Sequence, residues 1–351
     1  MADHSRTRWS LALPVLIMLV VVVVYSVRLP QRELRPYTWT GFAMGTLVEI
    51  TVYANRSAEG AVNKGFDRIG EIEQLVSTSI SDSDIALLNS APIGSYVQVH
   101  EDTAYLISSA LEFARETRGS FDPTVGRLVD LWGIGTERAS VPSGEAIRHA
   151  LSGVGYQNLV LDEDKRQVMR NTDFRVDLGA IAKGYACDEV VGILQNAGID
   201  AGIVDLGGNI CVFGTKPTGQ QWRVGIQDPA APRGSYVGVI SISSGAVATS
   251  GDYERYFERD SVIYHHILDP STGYPASPGV RSVSVIAPTG IQADALSTGL
   301  FVLGVDELFE FVDRSEEIEV VVITSDNRVI VSSGIAEAFQ VVKEGYTYEI
   351  R

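Results

Sequence analysis

The chain has 351 residues, enough for one large domain or two modest ones with a substantial core. Its composition is 45% apolar and 21% charged, which excludes a disordered chain and a fibrous repeat. The formal net charge of −16, without a concentrated basic patch, makes a nucleic-acid binder a poor fit. The two cysteines, Cys187 and Cys211, exclude a disulfide scaffold and a cysteine-rich metal centre, and we expect buried free thiols.

An apolar run occupies residues 11–27 and has arginines on both flanks. A run of this length is short for a membrane span and long for the core of a signal peptide. No small-x-small cleavage site and no lipoprotein cysteine follow it. We therefore favour an uncleaved signal anchor in residues 1–28 over a cleaved signal peptide. Residues 29–40 are predicted to be a linker, and residues 41–351 one compact domain.

The anchor affects the charge balance. Residues 1–28 carry three arginines and one aspartate, so the remainder of the chain has a formal charge of −18. In both interpretations of the apolar run, the acidic domain is exported or tethered at a membrane.

The first half of the domain is predicted from its hydrophobic periodicity. Residues 46–53 alternate as a strand, and Ser57 is placed to cap a helix that ends near Val76. A second helix begins at Asp102 or Thr103, and Gly119 follows it as a capping glycine. Residues 77–84 and 120–135 are predicted loops. A hairpin of residues 159–161 and 167–169 follows, and then a helix over residues 181–197 closed by Gly198.

The second half of the domain is dominated by short strands. They are predicted at residues 203–206, 210–213, 222–226, 236–242, 282–286, 319–323 and 328–331, with helices at 291–303 and 307–314. Strands and helices come in clusters and do not alternate strictly, so the predicted class is α+β.

Four segments carry residues suited to chemistry, and each has a plain structural explanation. Residues 177–184 place Asp177 and Lys183 at a helix start, which suits an anion, although a capped helix with a surface lysine explains this segment better when taken alone. Gly207 and Gly208 end a strand, where a ligand or a tight turn needs glycine. They do not form a dinucleotide-binding fingerprint.

His265 and His266 are adjacent in a predicted strand, so their side chains point to opposite faces. One of them can face a site as a general base, whereas a metal site made by both is disfavoured. Ordinary surface and core histidines of a strand explain this stretch about equally well. Asp294 and Thr298 are four residues apart on one helical face, and their oxygens suit Mg²⁺ better than zinc. Taken alone, this pair is better explained as a capping aspartate and a threonine bonded to its own backbone.

The order of these segments along the chain resembles the ApbE family of FAD:protein FMN transferases. The resemblance covers nearly all of residues 41–345. It is carried by Ala43-Met44-Gly45-Thr46, Ser81-Asp82-Ser83 with Asn89, Phe121-Asp122-Pro123-Thr124-Val125-Gly126 with Leu131-Trp132-Gly133, residues 177–185, Leu206-Gly207-Gly208, Ser250-Gly251, His266-Ile267, Asp269-Pro270, Thr272-Gly273, and Asp294-Ala295 with Thr298.

The resemblance implies an α+β fold of two T-fold-like halves and an exported or membrane-tethered enzyme. Members of the family bind FAD and Mg²⁺ and attach FMN to a threonine or serine of an acceptor flavoprotein, with AMP as the leaving group. Together with the predicted anchor, the resemblance implies an inner-membrane protein with a single N-terminal anchor and a catalytic domain on the periplasmic side. The implied partner is a flavin-carrying subunit of a membrane electron-transport complex or an extracytoplasmic reductase. No nucleic-acid partner is expected, because the chain is acidic.

The resemblance also implies site residues by position. His266 is the implied base, and the implied Mg²⁺ ligands are the carbonyl of Ala180 with Asp294 and Thr298. The implied FAD-binding residues are Met44, Ser79, Ser120, Phe121, Asp122, Asp177, Lys183 and Ile267. In an acidic domain, Mg²⁺ and Lys183 would supply the positive charge that a pyrophosphate needs.

Two positions depart from the family pattern. Many members have a flavin-packing aromatic residue where this chain has Ser79, in a loop implicated in the choice between FMN transfer and FAD hydrolysis. Ser297 stands where some members have an acidic residue, which leaves open whether one or two Mg²⁺ bind. The alternatives are therefore an FAD pyrophosphatase that releases FMN and AMP, and a non-catalytic FAD-binding protein at the membrane surface.

Overall fold

The computed structural model describes residues 34–54 and 58–351. The predicted anchor, the first residues of the predicted linker and the predicted helix cap Ser57 lie outside these ranges. Residues Pro36–Arg351 form one unit. In the two described ranges, no helix is both long and apolar enough to cross a membrane.

The described residues form strands and helices that we number in chain order. Strands β1 to β17 are Arg35–Ala43, Thr46–Ala54, Tyr96–Gln98, Leu159–Asp162, Gln167–Arg170, Gly202–Leu206, Asn209–Phe213, Trp222–Gln227, Tyr236–Ile242, Gly245–Gly251, Tyr256–Arg259, Val262–His265, Val280–Ala287, Glu319–Thr324, Arg328–Val331, Phe339–Val341 and Thr347–Ile350. Helices α1 to α8 are Glu59–Val76, Asp84–Ser90, Glu101–Glu116, Gly126–Trp132, Gly144–Leu151, Ala182–Asn196, Gly290–Leu303 and Val305–Val312. Short 3-10 turns occupy Tyr156–Asn158 and Ser333–Ile335.

A nine-stranded sheet is the centre of the fold. Its strand order is β1-β2-β6-β7-β10-β13-β14-β15-β17, and β17 pairs parallel to β15. The pairs from β2 to β15 are antiparallel. Smaller sheets have the orders β16-β9-β8 and β3-β5-β4, and β11 pairs with β12 in a separate hairpin. The mostly antiparallel pairing and the clustered helices confirm the α+β class.

The central sheet buries both of its faces. Strand alternation places Cys211 in the core beneath the helices and the next residue, Val212, in a second core against β8 and β9. Trp222 and Val224 on β8 belong to this second core. A smaller cluster around Trp132 joins α4 and α5. The sheet is therefore the middle layer between helices and a second sheet.

Helices α6 and α7 pack closely near the N-terminus of each. A Cβ atom on Gly184 would lie 2.1 Å from the carbonyl oxygen of Gly290, so glycine is required for this approach. The carboxylate of Asp188 on α6 accepts the N–H of Gly290 at 2.6 Å and that of Ile291 at 2.9 Å. These bonds satisfy two free donors at the start of α7 and fix its position against α6.

Most predicted elements are confirmed within a residue or two, but several observed elements differ from the prediction. The predicted linker ends earlier, because Arg35–Ala43 is strand β1 at the edge of the central sheet. The predicted loop over residues 120–135 contains helix α4, which caps at Gly133 in the left-handed region. Helices α2 and α5 and strands β3, β10, β11, β16 and β17 lie in segments without a predicted element. The helices have seven and eight residues, too few for a clear period, and β10 is rich in small residues.

Both cysteines are free and buried, as predicted. Cys187 donates to the carbonyl oxygen of Asn209 at 3.2 Å, and Cys211 lies 3.7 Å from a carboxylate oxygen of Asp188. They therefore act as small core side chains that join α6 to β7.

Candidate active site at the crossing of α6 and α7

The turn that leads into α6 is closed by its own side chains. Asp177 accepts the N–H of Gly179 at 2.7 Å, and burial raises the pKa of its carboxyl group. The ammonium of Lys183 donates to the carbonyl oxygen of Gly179 at 2.9 Å. Because an ammonium has three donors, Lys183 retains donors for an anionic ligand.

Asp294 joins this turn to α7. Its carboxylate is 95% buried; Oδ2 accepts the N–H of Gly184 at 3.0 Å, and Oδ1 lies 3.6 Å from the Lys183 ammonium. In a regular helix, the N–H of Gly184 would bond to the carbonyl of Ala180. The Ala180 carbonyl consequently accepts no hydrogen bond from any described residue. The Asp294 carboxylate thus takes the donor that would otherwise pair with the Ala180 carbonyl.

Thr298 lies one turn after Asp294 on the same face of α7. Its hydroxyl oxygen is 3.1 Å from the hydroxyl oxygen of Ser250, which is near the end of β10. Carboxylate, carbonyl and hydroxyl oxygens together form the ligand set that Mg²⁺ prefers. In the part of the chain that the structure describes, no three His, Cys, Asp or Glu side chains gather as a metal site. The predicted oxygen set does not form such a group, because Asp294 is its single residue of these four types.

His266 directly follows strand β12, at the base of the β11–β12 hairpin. Its Nδ1 lies 3.3 Å from the carbonyl oxygen of Arg255. Because a carbonyl only accepts, Nδ1 carries the proton and Nε2 carries the lone pair in the neutral ring. Burial, together with the charges of Arg255 and Lys183, lowers the pKa of His266 to about 4. The imidazole is therefore neutral near pH 7 and lies within the electrostatic range of Lys183.

His265 has the opposite orientation, as strand alternation predicts. It is 93% buried, its Nε2 is 2.8 Å from the carbonyl of Ala276, and its ring packs edge-on against Phe301 of α7. The N–H of Ile267 donates to its Nδ1 at 3.3 Å, so Ile267 is held in the core beside the site. His265 thus serves the packing of the hairpin against α7.

The loop before α4 lies against the same helix. Phe121 is buried, and its Cβ would be 3.0 Å from a Cβ added to Gly299, the residue after Thr298. Asp122 accepts the N–H and the hydroxyl of Thr124 on one oxygen and the N–H of Tyr156 on the other. Burial raises the pKa of Asp122. Asp122 therefore orders the loop, and the half-buried Ser120 precedes it.

Met44 and Ser79 lie in two turns at the ends of other elements. Met44 occupies the turn between β1 and β2 with a φ of 50°, which is uncommon for a residue other than glycine. Ser79 is exposed in the bend after α1, where its N–H donates to the hydroxyl of Ser77. The structure thus brings five predicted residues together at the α6–α7 crossing: Asp177, Ala180, Lys183, Asp294 and Thr298. The charge of Lys183 also acts on His266.

Three residues of this neighbourhood had no role assigned from the sequence. The carbonyl of Arg255 sets the histidine tautomer, Gly184 allows the close approach of the helices, and Ser250 contacts Thr298. The motif Ser250-Gly251 was a signal for the third. A backbone carbonyl leaves no signal in a residue's identity, which is why Arg255 was missed.

A cavity of about 1130 Å³ lies elsewhere, between α3, α6 and the start of α7. Tyr105, Asp188 and Cys211 are among its lining residues, and none of the predicted site residues is. The predicted site is therefore separate from this cavity. Its Lys183 ammonium, neutral histidine and oxygen ligands define a site suited to a phosphate-bearing ligand.

Comparison with known proteins agrees with this class of site. The ApbE family model matches residues 44–322. The FAD:protein FMN transferase of Treponema pallidum is 35% identical over 91% of this chain and 93% of its own length. The crystal structure of the ApbE protein of Thermotoga maritima superposes with a TM-score of 0.81 at 38% identity, covering 87% of this chain and 99% of that one. The flavin transferase ApbE from Vibrio cholerae gives a TM-score of 0.79 at 28% identity, with coverage of 87% and 99%. The chain belongs to the ApbE family.

Proposed function

We propose that this chain is an FAD:protein FMN transferase that works with Mg²⁺. The observation that carries the proposal is the meeting of Asp294, Lys183 and the open Ala180 carbonyl, in a chain that the ApbE model matches over residues 44–322. The relatives that cover most of this chain are named FAD:protein FMN transferases. The reaction would move FMN from FAD to a threonine or serine of an acceptor flavoprotein and release AMP.

The oxygen ligands would hold the metal ion. Asp294, Thr298 and the carbonyl of Ala180 would bind Mg²⁺, which when bound supplies positive charge to the pyrophosphate of FAD. Lys183 would donate its remaining N–H groups to phosphate oxygens. This arrangement explains how a chain with a net charge of −16 can accept an anionic substrate.

His266 would take the proton from the acceptor hydroxyl. Its Nε2 carries the lone pair because Nδ1 donates to the Arg255 carbonyl. As the hydroxyl oxygen forms its bond to the FMN phosphorus, the bond to the AMP phosphate breaks and the hydroxyl proton passes to Nε2. A base placed in this way contributes about 10²- to 10⁴-fold to the rate.

The test uses the purified chain with FAD, Mg²⁺ and a candidate acceptor, a flavin-carrying protein encoded near this chain's own gene. Release of AMP, together with an acceptor that gains the mass of FMN, is the expected result. Tight binding of FAD without AMP release would refute both an FMN transferase and an FAD hydrolase.

Ser79 favours FAD hydrolysis as a second candidate function. It places an exposed serine in the loop where many family members have an aromatic residue that packs on the flavin. AMP release accompanied only by free FMN would identify this activity. Replacing Ser79 by tyrosine would then shift the products from free FMN towards the modified acceptor.

The predicted location and partners complete the proposal. An N-terminal anchor in residues 1–28 would hold the domain at the periplasmic side of the inner membrane, near a flavin-carrying subunit of an electron-transport complex. The apolar run over residues 11–27 supports this location. Fractionation of cells that produce the full chain, with protease added to intact spheroplasts, tests it: protection of the domain from the protease would refute the proposed orientation.

A further inference from the structure

Ser250 connects strand β10 to helix α7 through a chain of three hydroxyl groups. Its Oγ lies 2.9 Å from the Oγ of Ser297 and 3.1 Å from the Oγ1 of Thr298. The hydroxyl of Ser297 in turn donates to the backbone carbonyl of Asp294 at 2.9 Å. This series of hydrogen bonds therefore starts at the Asp294 carbonyl, which can only accept, and ends at the Thr298 hydroxyl.

The fixed end determines the direction of every hydrogen bond in the chain. Each hydroxyl has one proton to donate. Ser297 gives its proton to the Asp294 carbonyl, so it can only accept from Ser250. Ser250 has then used its own proton and can only accept from Thr298. The Thr298 proton consequently points at Ser250, and the lone pairs of Thr298 are left for another partner.

We propose that Ser250 is a positioning residue that turns the hydroxyl of Thr298 so that its oxygen faces a divalent cation. The inference deepens the proposed function and rests on the metal site of that proposal. A helical threonine often donates to the carbonyl four residues earlier, which for Thr298 is that of Asp294. By offering a better-placed acceptor, Ser250 prevents this rotation and keeps the metal-facing lone pairs in place.

A purely structural role for Ser250 makes a different prediction. In that case Ser250 would only fasten β10 to α7, and its loss would lower the melting temperature without changing metal affinity. The next residue of the strand is a matched control. The hydroxyl of Thr249 makes a 2.7 Å bond to that of Ser284 on β13, on the opposite face of the sheet from Ser250.

The experiment measures Mn²⁺ binding to the full chain by electron paramagnetic resonance, with and without FAD. Ser250→Ala should weaken Mn²⁺ binding about 10- to 100-fold, the usual effect of losing a residue that orients a metal ligand. Ser250→Thr, which keeps the hydroxyl, should restore it. Thr249→Val should bind Mn²⁺ like the wild type although it also loses a hydroxyl bond.

Three results would overturn the inference in distinguishable ways. Wild-type affinity in Ser250→Ala, with loss in Thr298→Val, would remove the role of Ser250 and leave the metal site. No saturable Mn²⁺ binding by the wild type would remove the metal site and the role of Ser250 together. If Ser250→Ala does not fold, Ser297→Ala is tested in its place. Without the Ser297 hydroxyl, Ser250 can donate its own proton to Thr298, so it no longer fixes the direction of the Thr298 hydroxyl. Unchanged Mn²⁺ affinity in that variant also overturns the inference.

Discussion

The two adjacent histidines illustrate how one residue of a pair becomes available for chemistry. Both ring nitrogens of His265 bond to backbone groups, whereas His266 uses only Nδ1, and its Nε2 has no hydrogen-bond partner among residues 34–54 and 58–351. We expect His266→Ala to slow FMN transfer about 10²- to 10⁴-fold, because the acceptor hydroxyl loses its base. FAD affinity should stay near that of the wild type.

The measurement is the rate of FMN incorporation into the acceptor, followed by mass spectrometry, with FAD binding followed by fluorescence. His149→Ala is the matched control, since His149 is an exposed histidine on α5. An unchanged transfer rate in His266→Ala would exclude His266 as the base.

The surroundings of His266 also predict the pH dependence of the reaction. Its pKa is lowered to about 4, so the imidazole stays neutral, and able to accept a proton, as the pH falls through the ordinary histidine value of about 6.5. The acid limb of kcat/KM, which reports groups of the free enzyme, should therefore lie near pH 4. Lys183 lowers this pKa by its charge, so Lys183→Met should move the limb towards higher pH.

A pH–rate profile of the wild type and of Lys183→Met checks this expectation. Protonation of His266 near pH 6.5 in the wild type would contradict the burial and the neighbouring charges as causes. A limb that does not move in Lys183→Met would contradict only the contribution of the lysine.

At the scale of residues, the sequence predicts which face of a helix or strand a side chain occupies better than it predicts the hydrogen bonds that the side chain makes. The alternation of a strand separated His265 from His266, and the spacing of four placed Asp294 and Thr298 on one helical face. The role of the Ser250 hydroxyl depends on the Ser297 hydroxyl having already donated its proton to the Asp294 carbonyl. The sequence does not predict these hydrogen bonds, because they depend on the distances between β10 and α7.

At the scale of elements, the close crossing of helices α6 and α7 depends on the absence of a side chain at Gly184. A Cβ on Gly184 would lie 2.1 Å from the Gly290 carbonyl oxygen and 2.7 Å from the Cβ of Asp294. Gly184→Ala should therefore push the helices apart and destabilise the fold by about 1–3 kcal/mol. It should also weaken metal binding, because the Gly184 N–H would no longer hold Asp294.

Thermal unfolding and Mn²⁺ titration measure the two effects. Gly192→Ala, in the same helix but with open space around the added Cβ, is the control and should leave stability equal or raise it by about 0.5–1 kcal/mol. Equal melting temperatures for Gly184→Ala and the wild type would contradict the close approach.

The elements themselves were predictable where the pattern was long. Helices α1 and α6 have 18 and 15 residues; the apolar period placed α1 and the capping Gly198 placed the end of α6. Helix α4 was hidden because a proline and several glycines around it indicated a loop. Strand β1 occupies a segment in which Pro36 and mixed charge indicate a linker.

At the scale of the whole molecule, the acidic charge acts on stability. A net charge of −16 makes the folded chain repel itself at low salt. Raising sodium chloride from about 0.01 M to 0.15 M shortens the screening length from about 30 Å to 8 Å. The melting temperature should therefore rise, since the exposed ion pairs that salt also weakens contribute little stability.

Differential scanning calorimetry at fixed pH, with chloride as the anion, measures the change. A melting temperature that falls with added sodium chloride would show that specific ion pairs outweigh the general repulsion. The cluster of Arg68 with Asp102 and Glu189, which joins α1, α3 and α6, would then be the first candidate for substitution.

The open carbonyl of Ala180 has a consequence for how sequences of this kind can vary. The ligand proposed there is a main-chain oxygen, which survives any replacement of the side chain, so position 180 can vary among small residues without loss of that oxygen atom. The residues expected to be conserved are instead Gly184 and Asp294, because the hydrogen bond between them takes the N–H that would otherwise pair with the Ala180 carbonyl. A survey of natural variants should thus find tolerance at the ligand and intolerance four residues later, the reverse of what a list of side-chain ligands would suggest.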